Sequence, residues 1–267
     1  MLQTIKSAIF LLLLSSVIAG CDSTPKKEKS EPEQKAPQVK VAEKKPVRKI
    51  QKLNDENAAS ELAWYGSENP ETEVLLKTRL GNIKIRLYEE TPLHRANFVM
   101  LTKRGYYDNS QFYRVMKDFV VQGGDSDEYK FGKKKKNFGK YTVPAELQPS
   151  KFFHKRGAVA MAREIKQNPE KRSSSYDFYI ILGTKQTEDD LLGFEVSDLT
   201  KSYPQHVRKV YKSIGGVPGL DGDFTVFGEV VEGMDVVEKI EKVEVSEGDH
   251  WPMKDILIDA EVLPSAQ

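Results

Sequence analysis

Apolar positions follow three regimes along the chain. An apolar run opens at Ala8 and continues through Ile9, Phe10 and four leucines as far as Ala19. From Asp22 to about Asn57 apolar side chains are sparse, aromatic ones nearly missing, and Lys, Glu and Pro dominate. From Glu73 onward short apolar segments alternate with turn residues. Ile83, Ile85 and Leu87 face one way and Lys84 and Arg86 the other, the period of a half-buried antiparallel strand. By the same reading, strands are expected over residues 74–78, 83–87, 111–115, 119–122, 157–161, 177–182, 225–230 and 256–262. Gly81-Asn82 marks a hairpin between the first two.

Two helices interrupt this series. Thr91-Pro92 supplies an N-cap and a first-turn proline, an apolar face runs through Ala96, Phe98, Val99, Met100 and Leu101, and Gly105 closes it. A second helix is expected from about Met234 to Ile240. Many short strands with two separated helices imply a mainly β fold: a closed eight-stranded antiparallel β-barrel capped by two α-helices. The segment 184–216 breaks the rhythm and reads as a helical insertion. Within it Tyr203, Val207, Val210, Tyr211 and Ile214 recur at helical spacing. It is either a helix packed on the barrel or one that meets a partner or gates substrate.

The apolar run is shorter than the ~20 residues a spanning helix needs, and it follows Lys6, so residues 1–20 read as a signal segment. Ile18-Ala19-Gly20-Cys21 resembles the bacterial lipobox, which implies cleavage before Cys21, lipid on its sulfur and acylation of the new amine. More than one acyl chain gives firm anchoring. Residues 21–70 then read as a lipid-anchored, disordered tether, with a short helix near residues 58–63. The stretch before that helix has a coil dimension of about 35 Å. The domain itself spans 71–264, and a place outside the cytoplasm, on the inner or outer membrane of a bacterial envelope, follows from the anchor. Asp22 resembles an inner-membrane retention signal of some enteric bacteria.

Charge narrows the function. With 41 basic and 40 acidic residues the net charge is +1, which gives no support for nucleic-acid binding. One cysteine excludes an intramolecular disulfide and multi-cysteine zinc sites. The four histidines, His94, His154, His206 and His250, lack metal-like spacing and read as surface or loop residues. No cofactor or metal is implied, and a monomer is expected. Lys133 to Lys136 read as a solvated hairpin tip, with anionic lipid headgroups as the alternative partner.

The most informative stretch is Phe112-Tyr113-Arg114-Val115 followed by Phe119-Val120-Val121-Gln122-Gly123-Gly124-Asp125. With Thr91-Pro92, Asn97-Phe98, Gly105-Tyr106-Tyr107-Asp108, Gly157-Ala158-Val159-Ala160-Met161-Ala162, Phe178-Tyr179-Ile180, Leu220-Asp221-Gly222 and Val226-Phe227-Gly228, it resembles the cyclophilins over residues 73–263. The resemblance implies peptidyl-prolyl cis-trans isomerisation of proline-containing polypeptides. The reaction needs neither nucleophile nor metal, only stabilisation of a twisted amide whose barrier is about 18–20 kcal/mol.

The resemblance assigns catalysis to Arg114, Phe119 and Gln122. Arg114 offers a rigid, permanently charged donor to the prolyl nitrogen or the adjacent carbonyl, Phe119 walls the proline pocket, and Gln122 bonds the substrate backbone. Val120, Tyr179, Leu220 and Phe224 match pocket-lining positions, and Asp177 stands where the family often has Gln. Met161, Ala162 and Arg163 should border the groove, where an extended substrate would pair with the backbone of Ala162 or Arg163. Arg163 replaces a common Asn, Val120 a usual Met, and Gly219 the Trp of inhibitor-sensitive members; these departures bear on cyclosporin sensitivity. A non-catalytic module gripping Pro-containing segments, as chaperone or scaffold, is the competing reading, and intact Arg114, Phe119 and Gln122 favour catalysis.

Overall fold

The computed structural model describes residues 48–264. The expected signal segment, Cys21 and the tether up to residue 47 lie outside the described residues.

The eight expected strands all form: β1 (Glu73–Thr78), β2 (Gly81–Leu87), β3 (Ser110–Met116), β4 (Val120–Asp125), β5 (Ala158–Met161), β6 (Phe178–Ile181), β7 (Val226–Glu232) and β8 (Leu257–Val262). They close into one barrel in the order β6-β4-β3-β8-β1-β2-β7-β5, with every neighbouring pair antiparallel. The first hairpin pairs Thr78 with Gly81, so Arg79 and Leu80 make the turn and Gly81-Asn82 already belong to β2. Thr78 Oγ1 fastens that turn, donating to Gly81 O and accepting from Leu80 N.

Alternation fills the barrel. Val74 and Leu76 on β1, Ile83, Ile85 and Leu87 on β2, and Phe178 and Ile180 on β6 are at most 2% exposed. An eight-stranded barrel is just wide enough for such side chains to occupy it completely. The outward residues of β1 and β2 pair instead, as in Lys84–Glu73 (2.9 Å) and Arg86–Glu229 (2.8 Å). Exposed pairs of this kind contribute only about 0–1 kcal/mol, so burial rather than charge holds the sheet.

The described chain carries helices α1 (Ala58–Glu68), α2 (Pro92–Lys103), α3 (Tyr129–Phe138), α4 (Glu188–Ser197), α5 (Gln205–Ser213) and α6 (Met234–Glu241). The two expected helices are α2 and α6, and both add side chains to the main core: Phe98, Val99, Met100 and Leu101 from one, Val236, Val237 and Ile240 from the other. The insertion folds as two helices, α4 and α5, around Leu191, Tyr203, Val207 and Tyr211, with Phe153 beneath them. Ile214, expected on the buried face, is 47% exposed because α5 ends at Ser213.

Two segments depart from expectation. The compact unit starts at Arg48, not 71: Leu53, Ala58 and Leu62 lie in the main core. Arg95 of α2 donates to the carbonyls of Gly66 and Asn69, closing the C-terminal end of α1, where unpaired carbonyls concentrate negative charge. Leu53–Asn54 pairs in parallel with Gly139–Lys140, and a side chain on Gly139 would stand 2.0 Å from Leu53 O. The lysine run is not a hairpin tip but part of α3. Phe131 and Phe138 pin α3 edge-on to Tyr106, Lys134 Nζ donates to Tyr106 O (3.0 Å) and Asp108 O (2.6 Å), and Lys135 pairs with Asp125 (2.5 Å).

Candidate functional site

On part of the barrel both faces of the strands are apolar. Phe178 and Ile180 of β6 point inward, and Tyr179 and Ile181 point outward. On β5 Val159 and Met161 go in while Ala158 and Ala160 go out. The outward set, with Val120 and Val226, forms a second apolar cluster on the outer wall, and Phe119, Ala162, Leu220 and Phe224 lean on it half-exposed. Six expected site residues, Phe119, Val120, Ala162, Tyr179, Leu220 and Phe224, thus meet in one apolar patch on the outer wall, the candidate proline recess, although β-hairpins and loops from four parts of the chain supply them. Met161 is a correction. Period-two alternation turns its side chain into the barrel interior, where it is 0% exposed, so it supports the recess from behind and does not border the groove.

Arg114 reaches the same wall through a break in the alternation. The β3–β4 register pairs Phe112 with Gly123 and Arg114 with Gln122, so one extra residue sits on β3. This bulge lets Tyr113 and Arg114 both look outward while Phe112 and Val115 remain in the core. Arg114 Nη1 donates to Gln122 Oε1 (3.3 Å), Gln122 Nε2 to Tyr113 Oη (2.5 Å), and Tyr113 Oη to Asp177 Oδ1 (3.2 Å). Ser174 Oγ completes the chain on Asp177 Oδ2 at 2.7 Å. Tyr113 is a residue that role assignment along the motif missed. Its position beside Arg114 was visible, but the bulge that turns it outward was not.

Burial pushes the Asp177 carboxyl above its ordinary 3.8, the Ser174 hydrogen bond pulls it down less, and Asp125 adds to the rise. Tyr113 is likewise pushed up, by burial and then by Asp177, so its phenol stays a donor. A raised carboxyl binds its proton more tightly folded than unfolded. Stability therefore falls as pH climbs from the unfolded value through the folded one. Asp177→Asn removes that loss: its melting temperature relative to the parent should be higher at pH 7 than at pH 3, read by thermal unfolding at both. An offset that does not change with pH would mean that Asp177 titrates as it does in the unfolded chain.

Arg163 Nε donates to Asp223 O (2.6 Å), and its guanidinium carbon lies 5.0 Å from the centre of the Phe224 ring. It clamps one wall of the recess. The Ala162 N–H is spent on Asp177 O (2.8 Å) and its carbonyl already accepts from Ser174 N (2.7 Å), so the expected substrate pairing with the Ala162 backbone is not available as a free strand edge. Beyond Gln122 and Tyr113 opens a groove of about 1080 Å³ whose rim carries Lys52, Lys136, Lys140, Lys166 and Arg172. Gly124 (φ 104°) lets β4 run close to this wall, since a side chain there would stand 2.2 Å from Tyr176 O.

Two histidines correct the surface reading. His94 is 0% exposed, with Nδ1 2.6 Å from Glu146 Oε2 and Nε2 2.9 Å from Ser173 Oγ. His154 is 1% exposed, with Nδ1 2.7 Å from Asp221 Oδ1 and Nε2 3.2 Å from Tyr179 Oη. Each is buried because carboxylate and hydroxyl partners satisfy both ring nitrogens. No cluster of three or more His, Cys, Asp or Glu side chains suited to a metal occurs among the described residues.

A filled barrel with an apolar patch on its outer wall, edged by a guanidinium and an amide, is the surface of a barrel suited to holding a peptide segment. The model of the family described as cyclophilin type peptidyl-prolyl cis-trans isomerase/CLD matches residues 73–262. A Staphylococcus saprophyticus protein, provisionally assigned as a peptidyl-prolyl cis-trans isomerase, is 33% identical over 192 residues, covering 71% of this chain and 90% of its own. A Staphylococcus aureus protein with the same provisional assignment is 31% identical over 192 residues, with the same two coverages of 71% and 90%. Among solved structures, the cyclophilin type peptidyl-prolyl cis-trans isomerase of Cryptosporidium parvum superposes with a TM-score of 0.51 at 21% identity, covering 73% of this chain and 99% of that one. The chain belongs to the cyclophilin-type peptidyl-prolyl cis-trans isomerases and has their activity.

Proposed function

We propose that Arg114, Phe119 and Gln122 carry the isomerisation, and that Val120, Ala162, Arg163, Asp177, Tyr179, Leu220 and Phe224 hold a proline-containing segment, on substrates that are exported envelope proteins. The observation that carries the site is the Arg114–Gln122 pair at the rim of the apolar recess. Proline in the recess sits against Phe119, Leu220 and Phe224. Its peptide nitrogen, on becoming pyramidal, regains a lone pair that accepts a hydrogen bond from the Arg114 guanidinium. That bond forms only in the twisted amide, so it lowers the barrier without tightening the ground state. The apolar walls exclude water and so strengthen it. Uncatalysed Xaa-Pro rotation takes tens to hundreds of seconds, slow enough to limit folding. A structure of the Cryptosporidium protein was obtained in the presence of the dipeptide Ala-Pro, which accords with a proline-containing ligand. The site is tested by turnover of Xaa-Pro peptides by the full chain and its Arg114→Ala variant.

The envelope setting is supported by the apolar leader and by Ile18-Ala19-Gly20-Cys21. Lipid on Cys21 holds the protein to the membrane, and the tether lets the barrel meet clients emerging beside it. In a bacterial host fed labelled palmitate, the full chain should take up label and fractionate with membranes, and Cys21→Ser should do neither. Label that persists in Cys21→Ser, or none in the parent, would sink the anchor.

A further inference from the structure

The insertion, residues 184–216, is not needed to close the barrel, yet its side chains converge on one turn. That turn, from Pro218 to Asp223, carries Leu220 and leads into Phe224. Tyr203 Oη donates to Pro218 O (2.8 Å). Lys201 Nζ donates to Asp221 O (2.6 Å) and pairs with Asp223 Oδ2 (3.2 Å). The Phe194 ring lies so close over Gly219 that a side chain on the glycine would meet it at 3.2 Å. Tyr211 Oη donates to Asp221 Oδ2 at 2.5 Å.

Asp221 passes this grip onward. Its other oxygen accepts from the His154 backbone N–H (2.8 Å) and ring Nδ1 (2.7 Å), which fixes the imidazole in position. Nε2 then faces the Tyr179 hydroxyl at 3.2 Å, and the two rings stack at 15° with centroids 6.1 Å apart. Tyr179 in turn meets the Phe224 ring edge-on at 6.0 Å. Tyr211, Asp221 and His154 are at most 5% exposed, so water does not compete for these bonds. Burial and the Asp221 charge both push the Tyr211 phenol up, which keeps it the donor.

We propose that the insertion braces the proline recess: Tyr211 holds Asp221, Asp221 holds His154, and His154 sets the Tyr179 ring against the bound proline. Tyr211 is then a positioning residue for a substrate it never touches. This rests on Tyr179, Leu220 and Phe224 being walls of the recess. A purely structural insertion would need the Tyr211 ring, which packs with Val207 and Phe153, but not its hydroxyl, whose bond is to Asp221.

The test compares Tyr211→Phe, Lys201→Met and Val207→Ala in the full chain, by Xaa-Pro peptide kinetics and thermal unfolding. Loss of one hydrogen bond corresponds to a change of about three- to tenfold. Tyr211→Phe should raise KM by that factor with kcat little changed, and should move the His154 Nδ1–H proton resonance. Val207→Ala loosens the insertion core without touching the chain of bonds, so it should lower the melting temperature and leave KM alone. Lys201→Met should raise KM too, and it gives the reading if Tyr211→Phe fails to fold. An unaltered KM in Tyr211→Phe and Lys201→Met, or an equal rise in Val207→Ala, overturns the brace. Arg114→Ala in the same assay separates the two ideas. If it is inactive while Tyr211→Phe is normal, only the brace falls; if it is fully active, the catalytic assignment falls.

Discussion

Replacing Arg114 with alanine should cut kcat/KM on Xaa-Pro peptides by about 10²–10³, the range for removing one transition-state donor. The melting temperature should move by no more than a few degrees. Arg114 lies half-exposed on the outer wall, with one side-chain hydrogen bond, to Gln122, while the core neighbours Phe112 and Val115 stay in place. Gln122 keeps its bond to Tyr113 in the variant, so the strand pair should hold. Arg114→Lys sharpens the test: it retains charge but loses the rigid planar fork, and most of the loss should remain. A protease-coupled peptide assay with parallel unfolding curves measures both quantities. Activity within twofold of the parent, in a well-folded Arg114→Ala, would remove Arg114 from the mechanism.

Leu62→Ala should have the largest effect on stability, although its segment reads as tether in the sequence. Leu62 is 0% exposed and belongs to the same core as the barrel. Where it packs, α1 and α2 are so close that a side chain on Gly66 would meet Ala96 Cβ at 3.0 Å, so the helices have little freedom to collapse into a cavity. A buried Leu→Ala change of this kind costs about 2–5 kcal/mol. For a unit of this size that lowers the melting temperature by roughly 5–15 °C. Isomerase activity well below that transition should persist, because α1 contributes nothing to the recess. A shift under 1 or 2 °C would show that α1 does not share the barrel's cooperative unit.

The barrel was legible because its strands carry their own evidence. Ile83-Lys84-Ile85-Arg86-Leu87 alternates, and the structure buries the three residues that the alternation selects. The recess was legible through ordered motifs rather than through periodicity, and this explains the Met161 error: the motif suggested a groove residue where alternation pointed inward. Helix α1 was legible only as a short helix near residues 58–63 and not as part of the core, because two of its four buried residues, Glu61 and Gly66, are not hydrophobic. For α3 the lysines hid two anchors, Phe131 and Phe138, whose partner Tyr106 precedes them by a separate strand pair. The buried histidines were hidden by distance along the chain. His94 and Glu146 are 52 residues apart, and His154 and Asp221 are 67 apart, so neither partner lies within reach of a local reading.

Because side chains plug the barrel, nothing threads it, and the work happens on its outside wall. A recess on an outer wall has no end stop. If Phe119 and Leu220 hold proline as proposed, a substrate needs no free terminus to engage them: an internal loop would lie across both. The direction of rotation is not set by the protein either, since a catalyst that only steadies the twisted amide speeds cis to trans and trans to cis alike. The balance between the two isomers belongs to the substrate, and the barrel shortens the wait.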